Sequence, residues 1–233
     1  MRTRITGAAF ALTLATAAVI AAPGRAHSAS LTRTYLGTGW KIATGNGMQY
    51  LGTGSWQIVF YDTASRTALT PYAKRTAAEL GKNTGVVFTV TTTITKGATA
   101  CPTGRVINMR LTSTVTRSTG SQCHTATGAA DGSRATFALT NWKTVTLAGS
   151  NAIYRGEVVS HELGHSVGLA HPATWTTSPT PLMRGDVWGG YKTSTKASQY
   201  TAQDINGLKA LRANATKLPA LTVTATVNGA LQP

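Results

Sequence analysis

Residues 161–171 read HELGHSVGLAH, and no other stretch constrains the chain as much, because these residues make chemical sense together only if three imidazoles meet at one point. On an α-helix His161 and His165 stand four residues apart, so their rings leave the same face about one turn above each other. A helix continued past His165 would carry His171 round to another face, so the helix has to stop between them. Gly168 supplies the stop: with no Cβ it leaves the right-handed region at no steric cost, and the chain turns there to bring His171 round as a third ligand. Three neutral imidazoles and an open fourth position form the donor set of a catalytic zinc ion. Glu162, beside a ligand, is left for acid and base work: taking a proton from water and passing it to a leaving group. A bare HExxH also occurs as a satisfied histidine pair on an apolar helix, and it is the added Gly168 and His171 that favour metal binding.

Arg2 and Arg4 precede an uncharged, Ala-rich stretch from Gly7 to Ala22, followed by Pro23, Gly24 and further small residues. Residues 1–29 therefore read as a secretory signal peptide and place the expected mature protein outside the cell. Nothing later approaches the roughly 20 apolar residues that a membrane span needs. The chain carries 22 Lys and Arg against 7 acids, and loss of Arg2, Arg4 and Arg25 leaves a mature charge of about +12. Such a surface favours acidic partners, but the basic residues are scattered and not interleaved with aromatics, which argues against specific nucleic-acid binding. Two cysteines, Cys101 and Cys123, in an exported chain predict a disulfide. It would close a loop of about 23 residues and stabilise by ~3 kcal/mol in the chain-entropy description. A second metal on Cys101, Cys123 and His124 lacks a fourth ligand, and His124 reads as a loop residue.

Residues 30–55 are rich in Gly, Thr and Tyr and read as a lead-in or a short pro-segment. Residues 56–215 form the expected catalytic domain, and residues 216–233 a tail that alternates Leu, Val and Thr as a strand does. Strands are expected at Trp56–Tyr61, Val86–Ile94, Val106–Leu111 and Ala135–Leu139, with a further one at Trp142–Leu147. Thr70 followed by Pro71 predicts a helix start, with Gly81 as its stop. Residues 112–134 are polar and Gly-rich and read as loop. Ser150 or Asn151 caps the helix that carries His161, and Thr201 with Asp204 opens a last helix whose face is Ile205, Leu208 and Leu211.

HExxHxxGxxH followed by a downstream methionine, Met183, resembles the metzincin clan of zinc endopeptidases. The segment QDINGLKAL from Gln203 to Leu211 is similar to the closing helix of matrixin-like members, in a bacterial-looking secreted form. The resemblance implies an α+β fold: a twisted, mostly parallel sheet with two packed helices, an active-site helix, a Met-turn at Met183 and a C-terminal helix. It further implies one zinc ion on His161, His165 and His171, Glu162 as the catalytic base, and Met183 as a floor under the histidines. The substrate would be an extended peptide paired with an edge strand, and the protein a monomer. Gly185 stands where astacin-like members carry a tyrosine ligand, and Tyr191 is no clear replacement. No cysteine precedes Cys101 to hold the zinc in a latent form, and the sparse acids argue against calcium sites. Glu157 reads as an ion-pair partner or a ligand-orienting group, Asp186 as a support of the turn and Asp204 as a cap. Two other readings remain: a zinc hydrolase of cell-wall peptides, and a non-catalytic basic module that keeps zinc for stability.

Overall fold

The computed structural model describes residues 41–42, 50–96, 101–124, 129–144, 151–172, 180–185, 200–217 and 229–230. In chain order these form β1 (Lys41–Ile42), β2 (Trp56–Phe60), α1 (Thr63–Thr84), β3 (Phe88–Ile94), β4 (Val106–Thr112) and β5 (Thr119–His124). Next come β6 (Ala130–Ala138), α2 (Leu139–Thr144), α3 (Asn151–Val167), β7 (Leu169–Ala170), α4 (Ala202–Lys217) and β8 (Gly229–Ala230). Residues 1–29, expected to be a signal peptide, and Asp186 and Tyr191 lie outside the described residues.

The fold is α+β, with a mostly parallel sheet. Its strand order is β3-β2-β4-β6-β5-β8, in which β3, β2, β4 and β6 are parallel, while β5 runs antiparallel to β6 and β8 antiparallel to β5. Helix α1 is the crossover between the neighbouring parallel strands β2 and β3, as parallel pairing requires. It packs on β2, β3 and β4, while α3 packs on β5 and β6. The two helices meet at a buried hydroxyl pair, Thr76 Oγ1 and Ser160 Oγ, 2.8 Å apart. Between helices and sheet lies a core of Trp56, Ile58, Phe60, Ile107, Met109 and Phe137 against Leu69, Leu80, Val159 and Leu163. Full burial of each large apolar side chain there contributes about 1.5–3 kcal/mol.

Three expectations are corrected. Helix α1 begins at Thr63 and not at Thr70, because Asp62 caps it by accepting from the Ser65 N–H at 2.7 Å. Pro71 therefore lies inside the helix, and the stop is Gly85, at φ 69°, instead of Gly81. Leu139–Thr144 form the short helix α2, where the further strand expected at Trp142–Leu147 would have begun, and residues 145–147 of that strand lie outside the described residues. Within the expected loop 112–134 runs a strand, β5, and its end is tied to the connection between β3 and β4 by the Cys101–Cys123 disulfide, whose Cα atoms are 5.9 Å apart. Both outlying segments also touch the body of the fold. Lys41 and Ile42 pair with Ala170 and Leu169, and Gly229 and Ala230 pair with Gln122 and Ser121. No described helix is long and apolar enough to cross a membrane.

Candidate metal centre

Helix α3 is buried on all sides from Gly156 to its end. Val159, Leu163 and Val167, spaced four apart, fill the core on one face. His161 and His165 leave the helix on a different face, also buried. At Gly168 the chain takes φ 118°, a region that disfavours residues with a Cβ, and its N–H closes the helix on the Gly164 and His165 carbonyls at 3.2 and 3.0 Å. Strand β7 follows at once, and His171 comes round as the spacing predicts.

The three Nε2 atoms stand 3.0 Å (His161–His165), 3.1 Å (His165–His171) and 3.3 Å (His161–His171) apart. These separations are close to the edge, about 3.3 Å, of a tetrahedron whose corners lie about 2.0–2.1 Å from a central zinc. They are not hydrogen bonds. His161 Nδ1 faces the Leu182 carbonyl at 2.8 Å and His165 Nδ1 faces the Leu169 carbonyl at 2.7 Å. A carbonyl only accepts, so both Nδ1 atoms carry the proton, and in a neutral ring Nε2 is then a bare lone pair. Nor are these two rings charged. Burial, with a smaller contribution from the charges of His171 and Arg184, brings His161 down to about 4. Burial and the neighbouring imidazoles hold His165 well below the usual histidine range. Lone pairs thus face each other across 3.0 Å, and a cation relieves that repulsion. The group fits a metal ion, and among the described residues no other His, Cys, Asp or Glu joins it.

Glu162, next to His161 on α3, is buried as well. Desolvation pushes its carboxyl up to about 8, opposed by a hydrogen bond from the Gly120 N–H of β5. Strand β5 lies close against α3. A Cβ on Gly120 would run into the Glu162 carbonyl and His165 Cβ, and Gln122, two residues on and facing the same way, donates its amide to the His165 carbonyl. Glycine at 120 is therefore a condition of the strand approaching the metal helix.

On the other side of α3, a Cβ on Gly164 would overlap Met183 Sδ and touch Tyr200 at 3.5 Å. Met183 is buried against the helix at Gly164, and Tyr200 donates its hydroxyl to the Ser160 carbonyl at 2.7 Å. The turn that carries Met183 is held by Asp204, which accepts from the Leu182 and Met183 N–H groups at 2.8 and 3.2 Å. The same carboxylate accepts from the Thr201 N–H and Oγ1 at 2.9 and 2.7 Å. Asp204 is thus a cap, as expected, and also the link that fixes the Leu182 carbonyl against His161. A Cβ on Gly185 would lie 3.1 Å from His171 Nδ1, so that position sits against the third histidine. Glu157 is buried; desolvation pushes it up to about 8 against the opposing charge of Arg184, and its Oε2 has no hydrogen-bond partner.

The sequence reading missed Gly120, Gln122, Gly164 and Tyr200. Gly164 alone carried a local signal, since a glycine inside a helix costs about 1 kcal/mol relative to alanine and marks a close approach. No protein-family model matches this chain. No curated protein matches it either.

Proposed function

We propose that this protein is a secreted zinc-dependent endopeptidase that hydrolyses extended peptide substrates. The observation that carries the reading is the convergence of the His161, His165 and His171 Nε2 atoms 3.0–3.3 Å apart, with the buried Glu162 next to His161 on the same helix. His161, His165 and His171 would hold the zinc, whose chemistry there is that of a Lewis acid that polarises a carbonyl and acidifies water. Glu162 then accepts the proton of the attacking water and delivers it to the leaving amine. The Gly120 N–H holds its carboxylate in place between the two transfers. The carbonyls of Leu182 and Leu169 fix the two helix-borne imidazoles in the tautomer that leaves Nε2 free. Strand β5, the antiparallel strand at the Glu162 end of the sheet, offers main-chain groups on which an extended peptide can align.

The test is Glu162→Gln in the purified secreted protein. Hydrolysis of casein and of synthetic peptides should fall by at least about a hundredfold, the scale of general-base catalysis, while zinc stoichiometry stays unchanged. Full activity in the variant, or activity of the parent protein indifferent to a zinc chelator, rules the assignment out. Peptidoglycan as a parallel substrate separates a general peptidase from one confined to cell-wall peptides.

A further inference from the structure

Strand β5 contacts the metal helix directly, and part of its outer edge is already taken. Ser121 pairs with Ala230 and Gln122 with Gly229, antiparallel, and both partners belong to the chain's own β8. On the opposite edge β5 pairs with β6 from Thr119 to His124. The short strand β8 runs from the position opposite Gln122 to the one opposite Ser121. Its direction therefore leads toward Gly120, the residue that touches both Glu162 and His165. An antiparallel strand on this edge, heading for the catalytic carboxylate, lies where an extended peptide would align.

We propose that β8 is a self-inhibitory strand: Gly229 and Ala230 hold the place of a substrate peptide on β5 and must leave before a substrate can pair there. The regulatory claim rests on the endopeptidase reading; the docking of β8 on the edge does not. One feature makes the strand displaceable and another keeps it seated in the absence of substrate. Its ladder covers only two residues of β5 among the described residues, whereas a longer peptide can pair along more of the edge. It is also joined to the body through α4, which ends at Lys217, so it competes in cis at an effective concentration of roughly millimolar order. An exposed edge strand also invites pairing between molecules, and a short cis strand suppresses that hazard until a substrate displaces it.

The experiment uses the full chain with Gly229→Pro and Ala230→Pro together. Proline has no N–H, and substituting both positions removes the inward-facing donor whichever residue supplies it. Correct folding is checked by zinc stoichiometry, since neither position lies near the histidines in sequence. If β8 occupies the edge most of the time, KM for an extended fluorogenic peptide should fall three- to tenfold in the variant with kcat unchanged, because saturating substrate displaces the strand anyway. A fluorescein-labelled peptide of residues 221–233 (LTVTATVNGALQP) should bind the variant at least threefold more tightly than the parent, and this readout needs no catalysis. Hydrogen exchange at whichever of Ser121 and Gln122 turns its N–H toward β8 should be faster in the variant and slow again when that peptide is added. Equal peptide binding and equal exchange in the two proteins overturn the proposal. So does faster exchange with KM and peptide affinity unchanged, which makes β8 a structural strand only. If neither protein cleaves any peptide, the endopeptidase reading fails, and the binding and exchange results still decide whether β8 covers the edge.

Discussion

Gly164 is the residue at which helix preference and site geometry disagree. In a helix interior alanine is favoured over glycine by about 1 kcal/mol, so Gly164→Ala would stabilise α3 if the space beside it were open. It is filled by Met183 Sδ. The substitution should therefore destabilise, by ~1–3 kcal/mol as overpacked sites do. It should also weaken zinc binding, because the displaced turn carries the Leu182 carbonyl that orients His161. Urea unfolding with Met183→Ala added to the same chain checks the cause: the second change should restore part of the loss, and no recovery would put the clash elsewhere. Residues of this kind divide by how local their signal is. His161, Glu162, His165, Gly168 and His171 were legible because helical period and one glycine suffice to bring them together. Gln122 and Gly120 were not, since a strand touching a helix some forty residues away leaves no trace in either segment.

Among the elements, β5 was the one hidden in the sequence. Its residues TGSQCH lack apolar alternation, because the face turned to α3 must be small at Gly120 and hydrogen-bonding at Gln122. The same demands that place it against the metal helix made it read as loop. Helix α1 was misread for the opposite reason: Thr70-Pro71 is a strong start signal, yet Asp62 upstream caps better and the helix tolerates the proline. The places of the parallel strands along the chain were legible because runs of β-branched residues need no partner to be recognised, while their order in the sheet was not. How the turn at Met183 is attached to α4 was only half legible. Thr201 and Asp204 announce a helix start, but nothing near them announces that Asp204 also accepts from Leu182 and Met183. Two substitutions separate these roles. Asp204→Ala should cost ~2–4 kcal/mol for the several buried donors left unpaired. It should also lower zinc affinity about 10–100-fold, as loss of an outer support does. Thr201→Ala removes the cap hydroxyl alone and should cost ~1 kcal/mol, with zinc affinity close to the parent value. Competition against a chromophoric chelator measures both; equal losses would reduce Asp204 to a helix cap.

Across the molecule as a whole, the titratable groups buried around α3 set how stability responds to pH when no metal is bound. His161 is held near 4 and His165 well below the usual histidine range, against an ordinary 6.5 in the unfolded chain. The unfolded state thus binds more protons at these positions, and their contribution to stability rises with pH until about 6.5. The carboxyls act in the other direction. Burial raises Glu157 and Glu162 to about 8, and Glu79, on α1 against the Tyr200 N–H, to about 7, each from an ordinary 4.5. There the folded state keeps the proton longer, so their contribution is full below 4.5 and is lost as pH rises through 7 to 8. Between 4.5 and 6.5 the two sets oppose each other; above 6.5 only the carboxyls still respond. With three carboxyls against two histidines, the metal-free protein should therefore lose stability gently from pH 4.5 to 6.5 and more steeply above 6.5, by a few kcal/mol between there and pH 8. A cation on the histidines favours the ionised form of the adjacent Glu162 and should flatten that alkaline slope. Urea midpoints from pH 5 to 8.5, with and without zinc, test both statements. A metal-free protein whose stability is level or rising from pH 6.5 to 8 would mean that Glu157 and Glu162 are ionised in the fold despite their burial.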